Sequence, residues 1–377
     1  MRLKLAMLSL PFLALAACGG AGGGVESFGG SAASGGSTST PTPTPAPTPT
    51  PTPASTTSQA NMFDVTAATS FKALGAMHSF SVDDKGATLY RGNASTVDAP
   101  SGTISYDPRD GIFVMKLADA KAGISRDLTF QDPGHRTTAD SPYVERQVPL
   151  LAGFNYLTVL DGETLLTFFY QRPNNAGAFV SLAGFERNES KDTDSLSEQG
   201  VMVFGAQSSV LQTPTKGTAR FEGQFLATIM GQKDGSLPVQ QWLDGTSAVD
   251  VDFGKRSVGL SLTGKVGPAY VQNSPVSDQA LAIASGSTFT ASGTASWASG
   301  TNAFAGKFAS AGFSNGGVAT PVDFTSISAG TTSAGASSID GTFYGPEAKN
   351  IGGNFRIIGG VPNQRVDILG GFVGGRK

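Results

Sequence analysis

The sequence is poor in cysteine and histidine. Its 377 residues include one cysteine, Cys18, and two histidines, His78 and His135. Without a second cysteine, the folded part can form neither a disulfide nor a thiolate metal site. The histidines lie too far apart in sequence for the helical paired-histidine zinc motif, so only a site assembled in space would remain. We therefore predict no metal site and no cofactor.

Charged residues are also scarce. They make up 15% of the chain, whose formal net charge is −3. No basic stripe is present that could neutralise phosphates, so we predict that nucleic acid is not a partner. No glycine-rich loop joins a strand to a helix, and neither histidine lies in a recognisable nucleophile motif. A serine hydrolase assembled in space stays a minor alternative, and we predict no catalytic residue.

The N-terminus has the pattern of an export signal. Arg2 and Lys4 precede the apolar stretch Leu5–Leu13, which is too short to span a bilayer. The stretch leads into a motif that resembles the bacterial lipobox, Leu15-Ala16-Ala17-Cys18. We predict a signal peptide at residues 1–17 and acylation, for example with palmitate, at Cys18. The alternative is an ordinary cleaved signal with a chance cysteine.

Residues 18–61 are predicted to be a disordered tether. Glycine, serine and alanine come first, and Thr-Pro repeats follow from Thr40 to Pro53. Such repeats favour polyproline II, and this run would reach on the order of 40 Å. Gly19 after the cysteine resembles the outer-membrane sorting pattern. We therefore expect a lipid-anchored protein of the outer membrane, exposed at the cell surface.

From Met62 onward the pattern predicts an all-β fold. Fifty glycines and short alternating runs indicate strands and turns rather than long helices. Val249, Val251 and Phe253 alternate with aspartates, and Val258–Leu262 alternate after a turn, which predicts a hairpin. A second hairpin is predicted at Phe289–Trp297 and Phe304–Phe308. With further strands at 322–327, 338–344, 353–358 and 366–373, about eight strands suit a closed antiparallel barrel over residues 215–377.

Residues 62–214 are predicted to form a second, less regular β domain. Candidate strands lie at 79–82, 87–90, 102–106, 112–116, 157–160, 165–170 and 201–204. Polar stretches at 131–147 and 188–198 are expected to be long loops or, as an equal alternative, disordered surface insertions. Glu186–Glu198 is expected to be a solvated face. Tyr143, Glu145 and Arg146 combine aromatic and charged groups in the first loop, which suits a partner-binding site. A loop that folds back onto the sheet is an equal alternative.

The segment after residue 340 carries the most specific motif. Pro346, with an acid after it and a glycine at Gly352, predicts one helical turn at an end of the barrel. The whole motif resembles the barrel signature of the transferrin-binding protein B family of lipoproteins, through residues Gly341, Phe343, Tyr344, Gly345, Pro346, Gly352 and Gly353. Gly217–Gly223 and Val251–Gly254 resemble that family's strands as well.

The resemblance implies a single lobe, a handle domain followed by an eight-stranded barrel. It also implies a binding lipoprotein whose partner is an iron carrier, a haem protein or another solute, passed to an outer-membrane transporter. The alternatives from the residues are a structural or adhesive surface lipoprotein and, third, an enzyme. We expect a membrane contact through the lipid anchor.

Overall fold

A computed structural model describes most of the chain after residue 66. The described residues are 67–83, 86–90, 101–108, 111–119, 124–132, 134–137, 148–172, 177–232, 237–271, 274–277, 283–327, 334–362 and 364–377. Their strands form two antiparallel sheets, each of ten strands. The predicted all-β fold class is confirmed. The leader, the tether and Cys18 lie outside the described residues.

The first sheet, which we call the handle sheet, has the strand order β5-β4-β3-β1-β10-β9-β8-β7-β6, with β2 also paired to β1. Because β5 and β6 are joined by a short turn, the sheet rolls up and its two outer strands come together. Its strands are β1 Thr69–Asp83, β2 Gly86–Tyr90, β3 Ser101–Asp107, β4 Ile112–Asp119, β5 Ile124–Gln131, β6 Arg136–Thr137, β7 Phe154–Asp161, β8 Thr164–Gln171, β9 Val180–Lys191 and β10 Asp194–Gly205.

Packed aromatic rings hold the rolled sheet together. Phe113 on β4 lies 4.9 Å from the ring of Tyr170 on β8, and Phe130 on β5 lies 5.3 Å from Phe168. These contacts join the two wings of the sheet across its interior. Alternation along each strand directs these rings to the same face, as a half-buried sheet requires.

Every strand predicted for residues 62–214 lies within an observed strand, but one loop prediction was wrong. Residues 188–198 belong to β9 and β10, which pair from Val180 to Gly205 and are joined at Asp192 and Thr193. Glu186 and Glu198 are 1% and 2% exposed, so this stretch is not a solvated face. Glu186 is buried because a second sheet covers its face of the hairpin, and Glu198, on the opposite face, is paired with Arg187. The local sequence reveals neither environment.

The second sheet, which we call the barrel, follows the order β12-β11-β20-β19-β18-β16-β15-β13 and closes through a β12–β13 pairing. Eight strands therefore form a closed antiparallel barrel, as predicted, with two short strands attached. The strands are β11 Thr218–Gln232, β12 Val239–Asp252, β13 Ser257–Val271, β14 Ser274–Pro275, β15 Thr288–Ser296, β16 Phe304–Asn315, β17 Val318–Pro321, β18 Ala336–Tyr344, β19 Asn350–Val361 and β20 Gln364–Arg376.

Both predicted barrel hairpins are present. Val251 pairs with Val258 and Val249 with Leu260, so their side chains enter the barrel together. The expectation of a strand at 322–327 was wrong, because β17 ends at Pro321 and only an isolated bridge, Asp323 to Gly360, follows. The barrel interior is filled by aromatic and branched side chains, so it has a packed core.

Candidate functional site

The family-like motif lies at one end of the barrel. Phe343 is fully buried there, with its ring 5.3 Å from Trp297, 5.6 Å from Phe253 and 5.8 Å from Phe304. Gly341 pairs with Gly353 across β18 and β19, next to this aromatic cluster. Phe343 therefore stabilises the barrel end and is not available to a ligand.

A short 3-10 turn, Pro346–Ala348, closes the same end. Its preceding residue, Gly345, has φ of 73°, and a Cβ atom there would lie 2.5 Å from the Phe179 ring. Ala348 is fully buried in the barrel core. The predicted turn is thus confirmed and ties the barrel end to the handle sheet through Phe179.

The handle sheet packs against the outer face of β11, β12, β19 and β20, and we call this contact the seam. One half of the seam is apolar, and Val201 and Val203 of β10 lie against barrel residues there. Tyr344, fully buried, belongs to this half. Burial raises the pKa of its phenol well above the usual value, and a hydrogen bond with Gln207 offsets part of that rise.

The other half of the seam is polar. His78, Gln199 and Glu186 lie side by side on β1, β10 and β9, all facing the barrel. The Nδ1 atom of His78 lies 3.0 Å from Thr228 Oγ1, and the Glu186 carboxylate accepts hydrogen bonds from Asn188 at 2.7 Å, Gln199 at 3.3 Å and Trp242 at 3.4 Å. The bonds at Thr228 and Trp242 cross the seam and fix the handle sheet against the barrel, and the other two orient the Glu186 carboxylate.

A groove of about 320 Å³ opens on the handle sheet beside β6 and β7. Leu160 forms part of it and is 68% exposed, whereas Leu165 is half-buried. Polar atoms come from His135, Arg136 and two threonines. The groove therefore combines apolar surface with hydrogen-bond donors, which is the composition of a binding surface. Its lining residues are Gly134, His135, Arg136, Thr137, Thr158, Leu160 and Leu165.

His135 has a fixed hydrogen-bonding role in this groove. The backbone N–H of Gln131 donates to its Nδ1 at 2.9 Å, and its carbonyl accepts from the Thr158 N–H at 2.9 Å. With Nδ1 accepting, the neutral ring carries its proton on Nε2. In this arrangement His135 presents an N–H donor through Nε2.

An ion pair and burial raise the pKa of two other groups near the groove. Arg136 forms an ion pair with Asp132, and this bond raises the pKa of the guanidinium above its usual value. Burial raises the pKa of Tyr170, and the hydrogen bond that Tyr170 accepts from Asn155 offsets part of that rise. Arg136 thus stays protonated, and its charge is balanced by that of Asp132.

The predicted partner-binding residues Tyr143, Glu145 and Arg146 lie outside the described residues, but both ends of their loop are described. Thr137 on one side pairs with Tyr156 of β7. On the other side, the Tyr156 hydroxyl donates to Pro149 O at 2.7 Å and accepts from Leu151 N–H at 2.8 Å. The loop therefore starts and ends beside β7, next to the groove and the exposed Leu150.

Within the described ranges, no group of three or more His, Cys, Asp or Glu side chains is close enough to hold a metal ion. No helix in the same ranges is long and apolar enough to cross a bilayer. The two histidines, at the seam and in the groove turn, are far apart in the fold as well as in sequence.

Residues 213–377 match the family model described as the C-lobe and N-lobe beta barrels of Tf-binding protein B. The C-terminal sheet is therefore similar to the beta barrels of transferrin-binding protein B. No curated protein matches the chain by sequence at a significant level. The family resemblance drawn from Gly341–Gly353 is confirmed for this part of the chain.

Solved structures similar to the chain include transferrin-binding proteins B. One, a double mutant from Haemophilus parasuis, is 12% identical, with a TM-score of 0.34 over 82% of this chain and 76% of that chain. Another, from Neisseria meningitidis, is 13% identical, with a TM-score of 0.23 over 83% and 77%. The haemoglobin receptor HpuA from Kingella denitrificans is 10% identical, with a TM-score of 0.27 over 81% and 87%. These TM-scores are low, so the identification of the transferrin-binding protein B barrel rests on the family match.

Sequence reasoning missed the polar half of the seam. Glu186, Asn188, Ser197 and Gln199 are spaced two apart on their strands, a period that fits one face of a hairpin. That spacing was a usable signal for strands. The burial of those side chains under Trp242 was not readable, because it depends on a strand more than 40 residues later.

Proposed function

We propose that the chain is a lipid-anchored protein of the outer-membrane surface that captures an iron carrier, a haem protein or another solute. The observation that carries this proposal is the match of residues 213–377 to a barrel whose family is described by transferrin binding. The lipobox-like motif at Cys18 supports the anchor, and the Thr-Pro repeats support a spacer between the anchor and the folded part. We place the handle domain at residues 62–214 and the barrel domain at 215–377.

The handle groove and the adjoining loop form the proposed partner-binding surface. Leu150 and Leu160 are exposed apolar side chains on either side of the loop ends, and Arg136 and His135 supply donors. Tyr143, Glu145 and Arg146 belong to this surface in the proposal. Exposed leucines beside fixed polar groups suit contact with a protein partner, for which buried apolar area provides most of the affinity.

A capture experiment tests the binding function. The chain without residues 1–18 is immobilised and exposed to iron-loaded transferrin, to haemoglobin and to a detergent extract of its own outer membranes. We expect one iron carrier or haem protein to be retained. Leu160→Asp should weaken retention at least about tenfold, because burial of one leucine contributes that much to binding. Val318→Asp, an equally exposed site on the barrel (70% against 68%), serves as the matched control.

The anchor is tested separately in cells. Cys18→Ala should abolish incorporation of radiolabelled palmitate and release the protein from the outer-membrane fraction, and protease added to intact cells should digest only the surface-exposed wild type. If no iron carrier or haem protein binds folded protein and deletion leaves iron-limited growth unchanged, the capture function is wrong, whatever the outcome for the anchor.

A further inference from the structure

The barrel end that carries the Pro346–Ala348 turn also displays an apolar tip. Leu211 is 98% exposed and the adjacent Val210 is 43% exposed, and we call these two residues the apolar tip. They belong to a short 3-10 turn, Val210–Gln212, between the two sheets. Val210 lines a shallow cleft together with Arg256 and Trp297, which places the tip over the barrel end.

The apolar tip is held rigidly. Ser208, just before it, donates its N–H to the Phe343 carbonyl at 2.8 Å and its hydroxyl to the Gly345 carbonyl, and it accepts a bond from the Asn302 amide. The turn itself is closed by a hydrogen bond from Ser209 N–H to the Gln212 side chain at 3.0 Å. A side chain that is fully exposed on such a fixed support loses little entropy when it inserts into a partner.

The surface around the tip is positively charged. On the strand ends and loops at residues 213–222, 250–257, 297–303, 345–349 and 376–377, there are seven cations against four acidic side chains and the terminal carboxylate. The local net charge is therefore about +2 on a chain of net charge −3. The cations are Lys216, Arg220, Lys255, Arg256, Lys349, Arg376 and Lys377, and all are exposed.

Some of these cations are not neutralised by neighbours. The acids Glu222, Asp250 and Asp252 are already paired with Arg220, Lys255 and Lys377 at 2.9 to 3.3 Å. Of the other four cations, Arg376 donates a hydrogen bond to the Glu347 carbonyl at 3.2 Å. No carboxylate in the described part of the chain lies within ion-pair distance of the remaining three, Lys216, Arg256 and Lys349. These three charges are available to an external anionic group.

We propose that this barrel end is a docking surface for an anionic lipid bilayer, with Leu211 and Val210 inserted between headgroups and Lys216, Arg256 and Lys349 bound to lipid phosphates. An exposed apolar tip surrounded by lysine and arginine is the composition of surfaces that lie on membranes. Apolar insertion and electrostatic attraction add in such surfaces. The choice of a lipid surface over a protein rests on this charge complementarity.

The test uses the chain without residues 1–18, which has neither leader nor lipid. Every described strand lies within the compact unit Thr57–Lys377, so this chain keeps the whole fold. Its co-sedimentation is measured with vesicles of phosphatidylglycerol and phosphatidylcholine, and with vesicles of phosphatidylcholine alone. We expect binding to the anionic vesicles only, weakened by added salt because the contact is electrostatic in part.

Substitutions locate the contact. Leu211→Asp should weaken vesicle binding at least about tenfold, and Lys349→Gln by about fivefold, which is the contribution of one cation near an anionic surface. Val318→Asp is the matched control at the opposite barrel end and should bind like the wild type. Circular dichroism confirms that each variant is folded.

Three results would overturn the proposal: no binding of folded protein to anionic vesicles at low salt, unchanged binding by Leu211→Asp, or an equal loss in Val318→Asp. The assay involves neither the lipid anchor nor a captured partner. Its failure would therefore leave the proposed function standing, and failure of the proposed function would leave this docking surface standing.

Discussion

Gly353 shows how closely the backbones approach within the motif at residues 341–353. A Cβ atom at this position would lie 2.2 Å from the Asp340 carbonyl oxygen and 2.7 Å from Gly341 Cα, both backbone atoms that cannot rotate away. The motif was recognisable from sequence as a pattern, but the reason for its glycines is this contact between β18 and β19. Residue identities in the motif thus reflect packing and not ligand binding.

Gly353→Ala should lower the free energy of unfolding by about 1–3 kcal/mol or more, since the added methyl group overpacks a site bounded by backbone. Urea unfolding followed by circular dichroism measures the change. Gly259→Ala is the matched control, because a Cβ there would be 3.9 Å from its nearest neighbour, and it should change stability by less than about 0.5 kcal/mol. Equal effects of the two substitutions would contradict this account.

Tyr344 predicts a dependence of stability on alkaline pH. Its pKa is raised by burial, so the unfolded chain loses the phenolic proton near pH 10 while the folded chain keeps it. The folded state is therefore favoured fully below pH 10, and this advantage falls by about 1.4 kcal/mol per pH unit above it. Relative to Tyr344→Phe, wild-type stability should decline between pH 10 and 11.5 in urea titrations. If the stabilities of the two proteins changed in parallel with pH, burial would not raise the pKa of Tyr344.

At the scale of elements, alternation determined which strands could be predicted. The hairpins at 249–262 and 289–308 were predictable because apolar residues on one face alternate with polar or small residues on the other. β9 and the first half of β10 do not show this alternation, because both faces of the hairpin are buried. One face packs on the handle core and the other on the barrel. The local sequence around a polar residue that is buried by another sheet predicts a solvated side chain, as it did for Glu186 and Asn188.

The seam between these elements should depend on its polar contacts. Thr228→Val keeps the shape of the side chain but removes the hydroxyl that lies 3.0 Å from His78 Nδ1 in a fully buried position. The free energy of unfolding should fall by about 1–3 kcal/mol, which is the cost of leaving a buried polar atom without that bond. Thr263→Val, the same change at an exposed position on the outer face of β13, should be close to neutral. An equally small effect at Thr228 would mean that water replaces the lost bond.

At the scale of the molecule, the handle sheet and the barrel share one buried contact with an apolar and a polar half. Neither half could be predicted from the sequence, because the contact joins β1, β9 and β10 to strands far along the chain, with Gly75 and Asn354 bonded across 279 residues. The candidate groove was equally hidden, since β5 and β7 meet only when the sheet rolls up. Sequence patterns indicate the periodicity of each strand, whereas the seam and the groove depend on which sheet faces pack together.

This shared contact predicts that both sheets unfold together. Trp242 lies in the seam and Trp297 in the barrel end, and the chain has no other tryptophan. In the Trp297→Phe variant, the remaining Trp242 reports unfolding of the seam by its fluorescence. In the Trp242→Phe variant, the remaining Trp297 reports unfolding of the barrel. In each variant the fluorescence midpoint in urea should coincide with that of circular dichroism. Separate midpoints would show that the handle sheet detaches before the barrel unfolds.

The closure of the barrel also constrains the order in which the chain can fold. β20 lies between β11 and β19, and β11 has no partner on that side until β20 arrives. The barrel therefore cannot close until β20, which follows β11 by more than a hundred residues, has been synthesised. Until then the facing edges of β11 and β19 remain unpaired, and a growing chain must be kept from pairing these edges with other strands.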